Sequence, residues 1–246
     1  MIKAIVTGHS RGLGAAIAGH LLARNVAVLG LSRHGNAALA ASFPGQLHEV
    51  ALDLADDAGL ADWLAGETLA GFAAGADQLL LVNNAGLLAP VGQLAAQPPA
   101  AIARAISCNV AAALMLAASV ARVGTAANVG ELRILHISSG AGRNAIPGWS
   151  VYGAGKAALD HHARVVAADG APGVRICSLA PGVIDTGMQA EIRGTPLADF
   201  PLRKKFEALK ESGGLATPEA CAAGIVAHLL GDAFGEAPVA DLRELA

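Results

Sequence analysis

Apolar residues along this chain fall into two kinds of run, and the two kinds alternate. Short, β-branched runs cover 1–6, 26–31, 46–52, 78–82, 132–137, 174–179 and 238–242. Nearly continuous apolar runs of this length suit strands buried on both faces of a parallel sheet. Longer stretches rich in Ala and Leu lie between them, near 13–24, 55–72 and 98–123, then from Tyr152 to about 168, and 217–230. Pro98-Pro99 marks the start of the third, and Thr217 with Pro218 marks the start of the last. The alternation predicts an α/β chain: a doubly wound parallel sheet of about seven strands, helices on both faces and right-handed crossovers, in one domain over 1–246. Only about 185–214 breaks the pattern. It is irregular and carries Arg193, Arg203, Lys204, Lys205 and Lys210. A mobile lid with one or two short helices is expected there.

Composition narrows the function classes. The 246 residues are 54% hydrophobic, enough for one sizeable core. Net charge is −3 with acids and bases interleaved, so no nucleic-acid partner and no membrane-surface patch is expected. The apolar run 110–121 is too short for a hydrocarbon layer of about 30 Å. Cys108, Cys177 and Cys221 are far apart and odd in number, which predicts a reducing compartment rather than a disulfide framework. M-I-K-A-I-V runs straight into the first strand, so no signal peptide is expected, and the location expected is cytoplasmic. His161-His162 are neighbours pointing to different helix faces and no H-E-x-x-H occurs, so no metal is expected. The reading I-S-S-G-A-G around Ser139 is not a G-x-S-x-G elbow, which argues against a hydrolase.

Candidate chemistry begins where the first run ends, in T-G-H-S-R-G-L-G over residues 7–14. Strand, glycine-rich turn and helix in that order open a Rossmann-type dinucleotide unit. Gly8 permits the tight turn, Gly12 lets backbone approach a pyrophosphate, and Gly14 lets helix and strand pack closely. After the second strand, where an acidic residue would bond the ribose of NAD, the chain has Ser32-Arg33. Arg33 together with Arg11 suits a 2′-phosphate and predicts NADP(H); two ordinary surface arginines are the alternative. Asp53 ends the third strand and either accepts from an adenine amino group or caps the next helix. Asn83-Asn84-Ala85-Gly86 forms a sharp loop at the carboxyl edge of the sheet, where a cofactor lies. Asn109 is a polar amide inside an apolar helix. Tyr152, the sole tyrosine, precedes Lys156 by one helical turn. An ammonium beside a phenol lowers a pKa of about 10, giving a tyrosine that trades protons near neutral pH, as carbonyl reduction requires. A solvated pair on an amphipathic helix is the alternative.

Together these stretches resemble the short-chain dehydrogenase/reductase family over nearly the whole chain. Thr7 to Gly14, with Ser10, Arg11 and Leu13 among them, is similar to that family's cofactor turn. Asn84, Ala85 and Gly86 fall in a segment like its structural loop, and Tyr152-Gly153-Ala154-Gly155-Lys156 is similar to its active-site pair. Ser139 stands thirteen residues before Tyr152, the family's spacing for a catalytic serine; Ser138 is one residue off that register. Asn109 falls at the place of the fourth catalytic member. Pro181-Gly182-Val183 and Thr186 match the segment that holds the nicotinamide carboxamide. A narrower resemblance, carried by Gly148 to Tyr152, Lys156 to Asp160 and Asp185 to Arg193, is to the branch containing sepiapterin reductase and bacterial benzil reductase. That branch implies NADPH-dependent reduction of a ketone or vicinal dicarbonyl. It implies Tyr152 as acid acidified by Lys156, Ser139 as donor to the carbonyl, and Asn109 as holder of a relay water. It also implies substrate contacts from Trp149, Met188 and Asp241, and pairing through the two central helices into a homodimer or homotetramer. Ring-stacking residues for a pterin are not evident in a chain with 3% aromatics. A 3-oxoacyl-carrier reductase or alcohol dehydrogenase of the same family is the alternative, and a non-catalytic nicotinamide-redox sensor is a third.

Overall fold

The computed structural model describes residues 1–245. Its strands are β1 (Ile2–Thr7), β2 (Ala27–Ser32), β3 (Leu47–Ala51), β4 (Gln78–Asn83), β5 (Glu131–Ile137), β6 (Val174–Ala180) and β7 (Val239–Asp241). They form one parallel sheet in the order β3-β2-β1-β4-β5-β6-β7. The expected α/β doubly wound sheet of seven strands, with helices on both faces, is therefore what the chain forms.

The alternation of side chains along each strand divides the core in two. Ala4 and Val6 face one side with Leu13, Ile17 and Leu21 of helix α1 (Gly12–Leu22). Cys221, Ile225 and Leu229 of helix α10 (Pro218–Leu230) close that side. Ile5 faces the other side with Leu60, Leu116, Val120 and Ala163. Both faces are covered, which is why the strands read as unbroken apolar runs. Truncating a wholly buried residue such as Ile17 to Ala costs about 2–5 kcal/mol.

Several elements differ from the sequence expectation. The helix expected over 55–72 is two helices, α3 (Asp57–Ala65) and α4 (Thr68–Ala73), parted at Gly66, whose backbone is extended. A short helix α2 (Ala37–Ser42) was not foreseen; Asn36 caps it by accepting from Leu39 N at 3.0 Å. The stretch 98–123 is α5 (Pro99–Ile106), a wide π turn at Ser107–Ala111, and α6 (Ala112–Ala126). The continuous helix Pro99–Ala126 has 28 residues, and its most apolar 18-residue window has a mean hydropathy of 1.7, a length and composition that core helices share with membrane spans. Here it lies against the sheet, with Leu116 and Val120 buried.

Helix α7 (Ser150–Asp169) carries Tyr152 and Lys156 on one side of the sheet. The 185–214 segment contains two short helices, α8 (Gly187–Gly194) and α9 (Arg203–Glu211). Its base is clipped shut by Asp185 N to Ala216 O at 2.9 Å and Ala216 N to Val183 O at 3.0 Å. Strand order reverses between β1 and β4, and the carboxyl ends on either side of that point open onto a crevice.

Candidate active site

The crevice is a cleft of about 1300 Å³, above the few hundred to roughly 1000 Å³ of a typical small-ligand pocket. One end is built by the β1–α1 turn. Gly8 (φ +70) and Gly12 (φ +57) hold left-handed conformations that other residues resist. A β-carbon at Gly14 would sit 2.2 Å from Gly8 O, so this residue allows helix and turn to touch. Ser10, Arg11 and Leu13 line the same end. Arg11 stands at the N-cap of helix α1 without a side-chain capping bond, and the first turn has no acidic residue. Its first N–H groups are thus left for an anion. Thr7 Oγ1 accepts from both Asn84 N and Ala85 N at 2.9 Å, and Asn84 Nδ2 donates to Thr7 O at 2.9 Å, which pins the 84–86 loop beside the turn. Arg33 and Asp53 line this end too. Asp53 is already engaged: it accepts from Ala55 N at 3.0 Å and from Arg104 Nη2 at 2.9 Å. The Ala55 N–H, with Arg104, holds its carboxyl below the usual range. These residues fit a dinucleotide: an open helix terminus, a glycine cradle and two cations.

The other end is buried and built on one helix. Tyr152 and Lys156 are 7% and 4% exposed, and both line the cleft with Ser139. Ser138 borders the cleft as well, but its hydroxyl is engaged, donating to Asp160 Oδ1 at 2.6 Å. The structure corrects one expectation about Tyr152. Burial pushes its phenol up, and the pull downward comes from the Ser139 side chain rather than from Lys156. The Lys156 ammonium is itself pushed down to about 8 by burial. It stands 5.6 Å from the Tyr152 ring centroid and donates to Ile137 O at 2.6 Å. Asn109 is held by the backbone beside the 84–86 loop. It sits in the π turn, buried, with Oδ1 accepting from Leu87 N at 2.7 Å and Nδ2 donating to Leu87 O at 2.8 Å. Its amide clamps the peptide following Gly86 and is absent from the cleft wall.

Pro181, Gly182, Val183 and Thr186 line the cleft opposite the 84–86 loop, and Met188 and Asp241 reach its rim. The Asp241 carboxylate is taken up by Arg243, with Nε at 2.8 Å and Nη2 at 2.6 Å. Trp149 lines the cleft and packs edge-on to Tyr152 with centroids 5.5 Å apart. It stacks on Phe200 at 4.9 Å and leans on Phe206 at 5.6 Å. The chain has two tryptophans, one tyrosine and five phenylalanines, and four of these meet here. Sparse aromatics were read as the absence of a stacking wall; the 185–214 segment brings two of them back onto Trp149. Trp149 Nε1 and Gln189 Oε1 are buried in this wall without a hydrogen-bond partner.

Sequence reasoning missed the supports behind both ends. Asp160 accepts from Ser138, from Ser178 Oγ at 2.7 Å and from Arg143 Nε at 2.9 Å, and Arg143 Nη2 donates to Ala240 O at 2.9 Å. One buried carboxylate thus ties α7 to β5, β6 and β7. Its position eight residues after Tyr152, on the same helical face, was the available signal. His136, wholly buried on β5, bonds Asn83 Nδ2 and His162 Nδ1, each at 3.1 Å.

A family model described as short chain dehydrogenase matches residues 3–196. The chain belongs to that family. Among curated relatives of this short-chain dehydrogenase, the benzil reductase ((S)-benzoin forming) of Bacillus cereus is 32% identical over 246 residues, 98% of each chain. The sepiapterin reductase of Meriones unguiculatus is 34% identical over 223 residues, 86% of this chain and 84% of the relative. A solved short-chain dehydrogenase/reductase from Burkholderia vietnamiensis is 47% identical, covers 100% of this chain and 98% of its own, and superposes with a TM-score of 0.72. A short chain dehydrogenase from Burkholderia cenocepacia, solved in complex with NADP, is 25% identical with a TM-score of 0.77, covering 96% and 94%.

Proposed function

We propose that this protein is an NADPH-dependent carbonyl reductase acting on a ketone or vicinal dicarbonyl, with Tyr152 as general acid. The observation that carries the reading is the meeting of Ser139 and Tyr152 in a cleft whose far end holds an uncapped helix terminus and two arginines. The full-length benzil reductase relative supports the dicarbonyl class, and the neighbour solved with NADP supports the cofactor.

The 8–14 turn and the start of α1 would hold the diphosphate, and Arg11 and Arg33 the 2′-phosphate. Asp53 would border the adenine, and Asn84 to Gly86 the ribose. Pro181, Gly182, Val183 and Thr186 would hold the carboxamide. When bound, NADPH supplies a hydride. Everything else falls to the chain. Ser139 donates a hydrogen bond to the carbonyl oxygen as negative charge develops there. Tyr152 delivers its proton to that same oxygen. A phenol kept neutral by burial is ready to donate at any physiological pH. Lys156 bonds the ribose hydroxyls. Asn109 acts at one remove, fixing Leu87 and so the 84–86 loop. Acid–base assistance of this kind supplies about 10²–10⁴-fold in rate. Trp149 and Met188 form the substrate wall, Asp241 stands at its rim, and the 185–214 segment serves as lid.

Two central helices are the proposed seam of a homodimer or homotetramer. Only 33% of the most apolar stretch of Pro99–Ala126 is buried, and Val165 of α7 is exposed. Light scattering of the purified protein is expected to give a multiple of the chain mass. For the reaction, benzil, sepiapterin and an acetoacetyl thioester are each mixed with NADPH and followed at the nicotinamide absorbance. Consumption with benzil or sepiapterin supports the reading; consumption with the thioester alone overturns the substrate class.

A further inference from the structure

We infer that His9 is a positioning residue for cofactor choice: it holds the Glu49 carboxylate away from Arg11 and Arg33, leaving both guanidinium groups free for a 2′-phosphate. The inference deepens the NADP(H) reading above and rests on it.

His9 lies inside the glycine-rich turn and has no exposed surface. Its ring occupies the space over Gly30 of β2, where a β-carbon would stand 2.5 Å from the ring atoms. Glycine at 30 is therefore what admits the imidazole. Nε2 donates to Glu49 Oε1 at 2.8 Å, and Nδ1 lies 3.2 Å from Ser32 Oγ. Ser32 gives its only hydroxyl hydrogen to His34 O at 2.6 Å, so its oxygen faces Nδ1 as an acceptor. A carboxylate accepts only. Both ring nitrogens thus face acceptors. Glu49 Oε1 accepts as well from Asn36 N at 2.6 Å. Burial works to raise the Glu49 carboxyl, but the Asn36 and His9 bonds outweigh it and hold it below its ordinary value.

This carboxylate projects from β3 onto the loop that carries Arg33. Its oxygens lie 3.2 Å from where a β-carbon of Gly35 would be, two residues along. The other acid of this end, Asp53, is held by Arg104 and the Ala55 N–H. Among the described residues, neither Arg11 nor Arg33 has a carboxylate within 4.0 Å, although both line the cleft. A carboxylate released here would pair with a guanidinium or repel a phosphate dianion. His9 therefore acts on the phosphate through Glu49 and does not touch it.

The test measures dissociation constants of NADPH and of NADH separately, without substrate, by fluorescence of the bound nucleotide. His9→Met fills the same space without a donor. It is expected to weaken NADPH about tenfold, the loss of one charged hydrogen-bonding partner, and to change NADH less than about twofold. The double variant His9→Met/Glu49→Gln, with no charge left to release, is expected to recover most of the NADPH affinity. His9→Gln keeps a donor toward Glu49 and is expected to keep the NADPH-over-NADH ratio even if the Met variant folds poorly. Equal weakening of both nucleotides, or no recovery in the double variant, overturns the role of His9 while leaving the NADP(H) reading intact. A wild-type protein that binds both nucleotides equally overturns the NADP(H) reading, and this inference with it.

Discussion

The two ends of the cleft are made in opposite ways. The proposed catalytic end is buried and local: Tyr152, Lys156 and Asp160 are successive turns of one helix, and Ser139 follows the neighbouring strand. The end proposed to hold the adenosine is more exposed and assembled from afar. His9 meets Glu49 across forty residues of chain, and Asp53 meets Arg104 across fifty-one. The first end fixes a proton's position by packing, while the second fixes a field of charge by deciding which acid pairs with which base. Buried geometry gives distance control, and paired charges give selectivity that a single released carboxylate can reverse.

The largest separation of the two ends comes from Tyr152→Phe. Turnover is expected to fall by at least the 10²–10⁴-fold of acid–base assistance, with NADPH affinity unchanged in the same preparation. Asp160→Ala attacks the catalytic end from behind. It strands Arg143 and two serine hydroxyls, and urea titration is expected to report a loss of about 3–5 kcal/mol.

A third effect belongs to His136, whose pKa burial drives from 6.5 to about 3. The unfolded chain takes up a proton below pH 6.5 that the folded chain refuses until about pH 3. Stability from this group is thus complete above pH 6.5 and drains away as pH falls toward 3. Between pH 6.5 and 5 the loss is roughly 2 kcal/mol, and His136→Gln is expected to flatten that limb of the urea midpoint against pH. The smallest effect is confined to the adenosine end. Arg33→Asp is expected to shift the NADPH-to-NADH ratio of kcat/KM about tenfold toward NADH, read with a single carbonyl substrate.

The same contrast explains what the sequence made legible. Strand positions were readable because a sheet covered on both faces demands unbroken apolar runs. The catalytic end was readable because its spacing is that of a helix turn. The wide turn at Ser107–Ala111 was not, since a π turn has the composition of the helix around it. Nor was the direction of the Tyr152 shift: i to i+4 spacing places Lys156 nearby, but burial and the Ile137 carbonyl decide where its ammonium points. The His9–Glu49 and Trp149–Phe200–Phe206 groups join residues far apart in the chain, and no local period announces them.

The central claim is that hydride passes to a carbonyl carbon in this cleft while Tyr152 supplies the proton. Its most direct measurement incubates the protein with benzil and NADPH deuterated at C4, on one face and then the other. The account predicts benzoin carrying deuterium on the carbinol carbon from one of the two labelled nucleotides, and none when Tyr152 is phenylalanine. Unlabelled benzoin from both nucleotides, or labelled benzoin formed at wild-type rate by Tyr152→Phe, would contradict it.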